Sequence, residues 1–402
     1  ITEQIAKRQD ELINWNDPAF KAQWRGKKIP IETANEAFQE QIIDYKDVLQ
    51  TFRARHDIFK MALTQNHVQS FLNDLMSRLW KHDSDADKAD VSDVYNRGND
   101  FYGWFLDERM LYSMGYFEDS EEKDLQEKCT KAQGKKLHMI CKDMLNLKPG
   151  DEHLDFGCGW GALVNMATRE YGAKSTGITL SQEQANHIAK LGKNDNLEIK
   201  VMNAWDVPDT KQYDKISCVE MSEHIGIRDY QKFMHKVRGL LKDDGTFYLQ
   251  IAGLRRAWQY EDLVWGLFMN KYIFPGADAS CSLSWDCEQL DRAGFEIHSV
   301  ENCGTHYGMT ILTWYHNWVK NKKLVVEKYG EKSWRNWSIF LAWSHIIAMQ
   351  GSSTVYMIAM TKNFAYDKRS RYPSMLKKEE PAIDRAKLFI DKDRSMKSRK
   401  LE

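Results

Sequence analysis

With 402 residues the chain has room for two or three structural units of about 150 residues each and for a full hydrophobic core. Its 57 Lys and Arg against 58 Asp and Glu leave no global field to hold a polyphosphate backbone, which excludes nucleic acid as a partner. A hydrophobic fraction of 42% excludes a largely disordered chain, and seven cysteines without a Cys-x-x-Cys pair argue against a disulfide framework or a structural zinc and for a reducing compartment.

Residues 1–90 read as an N-terminal helical segment. Val68, Phe71, Leu72, Leu75, Met76 and Leu79 recur at three- and four-residue spacing, which predicts a helix docked on a larger domain. The acidic run from Asp83 to Asp87 breaks that pattern and reads as a linker. The chain opens on Ile1, so an anchor ahead of it is neither predicted nor excluded.

From about residue 150 the texture changes. Seven β-rich runs (His153–Phe156, Ser175–Leu180, Leu197–Met202, Lys215–Glu220, Thr246–Ile251, Phe295–Val300 and Thr354–Thr361) alternate with amphipathic stretches. That alternation predicts an α/β fold whose mostly parallel sheet is covered on both faces. Between the fifth and sixth runs lies an insertion, residues 253–284, rich in Trp, Tyr and Phe. At the carboxyl ends of the strands such an insertion is placed to form a lid. Its rings (Trp258, Leu263, Trp265, Phe268, Met269, Phe274) and the pair Arg255-Arg256 admit two readings of equal weight. Either they dock on a membrane surface, or the rings roof a pocket while the arginines pair with Glu261 or Asp262. The apolar stretch from Trp337 to Met360 is broken at Gln350–Thr354, giving a buried helix, a turn and a strand; no run approaches the roughly 20 unbroken apolar residues of a membrane span. Residues 367–402 form a charged, solvated tail, with attraction to an anionic membrane as a second reading.

The chemistry is carried by Leu154-Asp155-Phe156-Gly157-Cys158-Gly159-Trp160-Gly161, which follows a strand and opens a helix. Its glycines allow a tight turn and close approach of a ligand, and the helix start presents free amides. Such a turn alone serves a dinucleotide equally well. Gly177–Gln184 after the second strand and Asn203-Ala204-Trp205-Asp206 after the third add polar groups for a ribose and a ring for a flat base. Together these form the pattern of an S-adenosylmethionine methyltransferase.

Over roughly residues 91–365 the sequence resembles the cyclopropane-fatty-acid-synthase family of methyltransferases. The likeness rests on Asn96–Tyr102, Met110–Ser113, the glycine turn, Gly177–Gln184, Val219–Gly226 and Gly304–Tyr307. The resemblance implies a class I, Rossmann-like methyltransferase domain over 91–366 with a seven-stranded sheet. Residues 253–280 look most similar to the fungal-type sphingolipid 9-methyltransferases, which add a methyl to carbon 9 of a long-chain base in ceramide or glucosylceramide. A cyclopropane-type lipid synthase, or an N-methyltransferase of a small amine, stays open because the Glu-x-x-Glu-His motif is shared.

The resemblance implies that Tyr112 and Ser113 close over the methionine end of S-adenosylmethionine. Asp155, Gly157 and Gly159 form its cradle, Thr179, Leu180 and Gln184 face the ribose, and Ala204 and Trp205 face the adenine. It implies a bicarbonate ion held by Glu223, Tyr307 and the backbone at Met114 and Val219, with Gln250 standing where relatives have histidine. Glu220 is a further catalytic candidate, His224 a weaker one, and His306 orients or packs. The expected partners are a lipid with a long unsaturated chain and a peripheral membrane contact; a homodimer is allowed but not specified. The expected location is cytoplasmic, or peripheral on the cytosolic face of an internal membrane. The fungal relatives carry membrane-spanning helices ahead of the catalytic domain, and residues 1–90 show none.

Overall fold

Seven strands form one central sheet: β1 (Glu152–Phe156), β2 (Lys174–Thr179), β3 (Leu197–Val201), β4 (Tyr213–Val219), β5 (Leu241–Leu254), β6 (Phe295–Asn302) and β7 (Ser353–Lys362). Their spatial order is β6-β7-β5-β4-β1-β2-β3. Strands β1 to β5 pair in parallel, and β7 runs antiparallel to both β5 and β6. Every residue of β7 is buried, as are His153 to Phe156 of β1. Strands covered on both faces take continuous apolar runs, which is why these segments stand out in the sequence. The computed structural model describes residues 1–63, 98–119, 121–257, 259–274 and 281–363. The helix expected over Val68–Leu79, the linker at Asp83–Asp87, Trp258 and the tail from Asp367 lie outside them. The described residues belong to the first of two compact units, residues 1–370; the second is 371–402.

The chain order reverses at β1, which has β2 on one side and β4 on the other. In a parallel sheet this switch point opens a crevice at the carboxyl ends of the strands. The glycine turn leaves β1 there, and the Glu220–His224 segment leaves β4 beside it. Phe156 pairs with Cys218 in the register of these two strands.

The helices needed below are α1 (Leu125–His138), α2 (Ala162–Arg169), α3 (Gln182–Lys190), α4 (Ile227–Leu240), α5 (Tyr260–Tyr272), α6 (Leu283–Arg292), α7 (Gly304–Lys320) and α8 (Lys322–Met349). α8 breaks at Gly330, where φ is 83°. Among the described residues no helix is long and apolar enough to cross a membrane.

Two departures from the sequence expectation have physical causes. β5 begins at Leu241, not Thr246: Tyr213 pairs with Leu241 and Lys215 with Thr246, so the polar stretch Lys242–Gly245 is absorbed where the register shifts. The N-terminal segment is not purely helical. Ile13–Trp15 pairs antiparallel with Ile43–Tyr45, and Ile29–Pro30 pairs parallel with Phe59–Lys60. Strands of two or three residues leave no periodicity to read between the helices that flank them.

The insertion after β5 turns inward. Val264, Trp265 and Phe268 of α5 are buried, with Phe268 and Trp343 of α8 5.7 Å apart between ring centres and the Trp265 indole donating to Ser344 Oγ at 3.2 Å. Arg255 pairs with Asp262 at 3.2 Å, so the inward reading holds for this arginine and these rings; Leu263 stays exposed. The N-terminal segment seals the same core. Arg55 forms a buried ion pair with Glu261, and Phe52 packs on Trp343.

Candidate active site

Gly157, Gly159 and Gly161 all have positive φ, 73°, 53° and 86° respectively. A β-carbon at Gly157 would lie 2.6 Å from Met221 Cγ, so this glycine serves the contact between the β1 and β4 turns. A β-carbon at Gly159 would meet nothing within 4 Å, so Gly159 is the position that leaves room for a ligand. Asp155, at the end of β1, is buried and accepts a hydrogen bond from Ser217 Oγ at 2.5 Å; burial pushes its carboxyl up to about 7.

The ends of β2 and β3 complete this half of the crevice. Thr179 Oγ1 donates to Gln184 Oε1 at 2.6 Å and accepts from the Ser181 amide at 3.1 Å, fixing the start of α3. Leu180 next to it is exposed. Ala204 and Trp205 sit in a single helical turn capped by Asn203, whose Oδ1 accepts the Trp205 amide. The Trp205 ring stays 38% exposed and meets Phe233 edge-on at 5.9 Å. An exposed indole at a strand end, an open glycine turn and a fixed Thr–Gln pair suit a nucleoside, so the residues present fit the expected cofactor.

The other half of the site is a buried carboxylate pair. Glu220 has φ +48°, a left-handed backbone few non-glycine residues adopt, and its own amide bonds the Gln250 carbonyl at 2.7 Å. Its Oε1 accepts from the Met114 amide at 2.9 Å and from Gln250 Nε2 at 2.6 Å. Gln250, fully buried on β5, is in turn held by the Tyr248 hydroxyl at 2.8 Å. Glu223 is 8% exposed; its Oε1 accepts the Ala252 amide at 2.6 Å, and its buried Oε2 has no partner among the described residues. Burial, then the charge of Glu220, pushes the Glu223 carboxyl up to about 8. Burial also raises Glu220, opposed by Lys136 and by its two donors.

The structure therefore brings Glu220, Glu223, Gln250 and the Met114 amide together. Tyr112 and Tyr307 are half-buried against the large aromatic core, Tyr112 5.2 Å from Trp314 between ring centres. Burial pushes His224 down to about 4, so it is neutral. His306 accepts the Phe117 amide at 3.0 Å and stacks on Tyr116, an orienting role. Sequence reasoning missed Lys136 of α1, which is fully buried and donates to Ser113 Oγ at 2.5 Å. The signal was present: Cys129, Ala132, Gln133, Lys136 and Leu137 share the buried face of α1, so one lysine falls on the inward stripe.

This fold and crevice are those of class I, Rossmann-like S-adenosylmethionine methyltransferases. A solved mycolic acid cyclopropane synthase, CmaA1 complexed with SAH and CTAB, aligns with a TM-score of 0.64 at 26% identity, covering 68% of this chain and 98% of that one. The mycolic acid cyclopropane synthetase family model matches residues 82–358, and the chain belongs to that family. The sphingolipid C9-methyltransferase of Komagataella phaffii is 42% identical over 375 residues, 89% of this chain and 76% of that protein. Sphingolipid C9-methyltransferase A of Emericella nidulans is 43% identical over 362 residues, 88% of this chain and 69% of that protein.

Proposed function

We propose that the chain is an S-adenosylmethionine-dependent C-methyltransferase acting on an alkene carbon of a lipid, specifically carbon 9 of the sphingoid base in a ceramide or glucosylceramide. The observation that carries the chemistry is the buried pair Glu220 and Glu223 beside the glycine turn. The lipid specificity rests on the likeness to sphingolipid C9-methyltransferases. We assign the reaction to residues 91–366, with the described part of the N-terminal segment, residues 1–63, buttressing the wall that α5 and α8 form.

Asp155, Gly157 and Gly159 would hold the cofactor's centre, Thr179, Leu180 and Gln184 its ribose, Ala204 and Trp205 its adenine, and Tyr112 and Ser113 its methionine end. When bound, the cofactor supplies a methyl group on a positively charged sulfur. Once an alkene carbon of the acceptor has gained that methyl, the neighbouring carbon carries positive charge, and a carbon bonded to that cationic centre must lose a proton. A buried carboxylate oxygen takes the proton, the C–H electron pair becomes the new C=C bond, and the product is a methyl-branched alkene. Burial of the pair keeps water, a competing nucleophile, away from the charged carbon.

A bound bicarbonate does not fit this arrangement. The Met114 amide and Gln250, the donors expected for that ion, both bond Glu220 Oε1, so the protein's own carboxylate takes their hydrogen bonds. Incubation with methyl-labelled cofactor and total lipid extract, followed by mass spectrometry of sphingolipids, phospholipids and amines, tests the reading. Label in a C9-branched sphingoid base is expected. Label confined to cyclopropane rings or to amines refutes it.

A further inference from the structure

Lys136 is a fully buried lysine with a single polar contact, the Ser113 hydroxyl, and no carboxylate within ion-pair distance among the described residues. Removing an ammonium group from water costs several kcal/mol unless charge or hydrogen bonds offset it. Unpaired buried lysines are therefore rare, and they concentrate where a site uses the charge.

Its surroundings form one connected device. Gln133, one turn earlier on α1, donates from Nε2 to the Ser113 carbonyl at 2.8 Å, so two side chains of one helix face grip a single residue. The next residue, Met114, donates its amide to Glu220 Oε1. The following amide, of Gly115, donates to Thr310 Oγ1 of α7 at 3.0 Å. The charged and titratable groups acting on Lys136 are Glu220 from the end of β4, Asp107 from the loop before Tyr112, and Cys129 from α1 itself. Asp107 is in turn 3.6 Å from Arg109. Burial brings the ammonium down to about 8, and Glu220 exerts the largest opposing attraction; the Cys129 thiol, itself pushed up to about 12, is neutral.

We propose that Lys136 is a positioning residue of the methyl-transfer site: it clamps Ser113 over the methionine end of the cofactor, and its buried positive charge keeps Glu220 ionised as the proton acceptor. This rests on the methyltransferase reading above and assigns the pair: Glu220, with three donors or charges turned toward it, is the anion, and Glu223, with one donor and an orphaned oxygen, is the neutral partner.

A double-mutant cycle in thermal stability tests the charge and a calorimetric titration with S-adenosylhomocysteine tests the clamp, both on the full chain and without lipid, so an error in the acceptor cannot mimic the failure of either. Lys136→Met should lower thermal stability, and Glu220→Gln added to it should restore most of the loss, because the two buried charges then leave together. A double variant no more stable than Lys136→Met overturns the proposal. Ser113→Ala keeps both charges and removes the clamp; calorimetry should show S-adenosylhomocysteine binding weakened about tenfold, the scale of one lost hydrogen bond. Unchanged affinity overturns the clamp. Where Lys136→Met is folded and active, the acidic limb of its kcat profile should move up by about one pH unit or more while KM for the lipid changes little, since Glu220 then holds its proton more tightly. A limb at the parent position would show a packing role only and overturn the assignment.

Discussion

Glu223→Gln should separate the cost of a buried carboxylate from its use. Burial and the neighbouring Glu220 push the Glu223 carboxyl from 4.5 up to about 8. Below its unfolded value the group is protonated whether the chain is folded or not, and it costs nothing. Between the two values the unfolded chain releases the proton and the folded chain keeps it, so stability falls as pH rises; above about 8 the loss is complete. A shift of this size corresponds to about 5 kcal/mol at about 1.36 kcal/mol per unit. With about 2.1 cal/mol/K of unfolding entropy per residue over the whole chain, that is a melting-temperature difference of about 6 °C. Gln keeps the shape and the bond from the Ala252 amide but has no proton to lose. Calorimetric Tm values of parent and variant should therefore diverge from about pH 5 to about pH 8, the variant gaining. Asp155, also raised, and His153, lowered to about 3, are common to both proteins and cancel in the difference. Methyl transfer should hold within about tenfold in the same variant, whose amide stands in for the neutral carboxyl, and fall about a hundredfold in Glu220→Gln, which removes the proton acceptor. Parallel Tm curves would show that Glu223 is not the buried, protonated group described here.

The glycine turn can be tested at two positions with opposite expectations. Gly159→Ala, which meets no protein atom, should weaken S-adenosylhomocysteine binding in calorimetry at a stability cost of only about 1–2 kcal/mol from its left-handed backbone. Gly157→Val, which collides with Met221, should lower Tm far more; a well-folded variant would remove that contact from the argument. Trp205→Ala should weaken binding of the adenine nucleoside about tenfold with little change in Tm, since the residue is 38% exposed. Arg255→Glu sets a carboxylate against Asp262 and should slow turnover equally on bilayer and detergent-dispersed substrate; a loss confined to bilayers would make Arg255 a membrane contact instead.

The parts of the fold legible in the sequence are those where burial acts on a run of residues. β7 is buried along its whole length, and β1 ends in four buried residues, so both read as apolar runs and the glycine turn could be placed between strand and helix. The short strand pairs near the N-terminus were illegible because two or three residues carry no period. Glu220 and Glu223 were legible as candidates through the motif. Their opposite environments were not, because these depend on a positive φ at Glu220 and on amides brought in from Met114 and Ala252, far away in the chain. Lys136 shows the limit most clearly. It follows Lys135, which is half exposed and pairs with Glu118 on the surface, and nothing in the pair of letters says which is buried. Only the helical phase of α1, set by Cys129, Ala132 and Leu137, distinguishes them.

The same burial that makes this site costly makes it suited to alkene chemistry. A cation on a hydrocarbon chain has no polar handle to bind, so the protein can stabilise it only by placing fixed negative charge where the cation forms and by keeping out water. That requires an anion that stays ionised in a dry crevice. A lone buried carboxylate would take up a proton, as Glu223 does, with its pKa near 8. Burial raises Glu220 as well, and the field of Lys136, the Met114 amide and the Gln250 amide, supplied by three separate parts of the chain, oppose that rise. Each support has a cost of its own: a left-handed backbone at Glu220, a buried glutamine that needs the Tyr248 hydroxyl, and an ammonium group without a carboxylate beside it. The extensive aromatic core on the N-terminal segment, α5, α7 and α8 lies beside this crevice, and its burial is of the kind that offsets such costs. Residues 1–60 are thus tied to the chemistry through stability. Weakening the Arg55–Glu261 pair by Arg55→Met should lower Tm and the fraction of active enzyme together while leaving the pH profile of the remaining activity in place. A moved profile would mean that the N-terminal segment acts on the carboxylates directly.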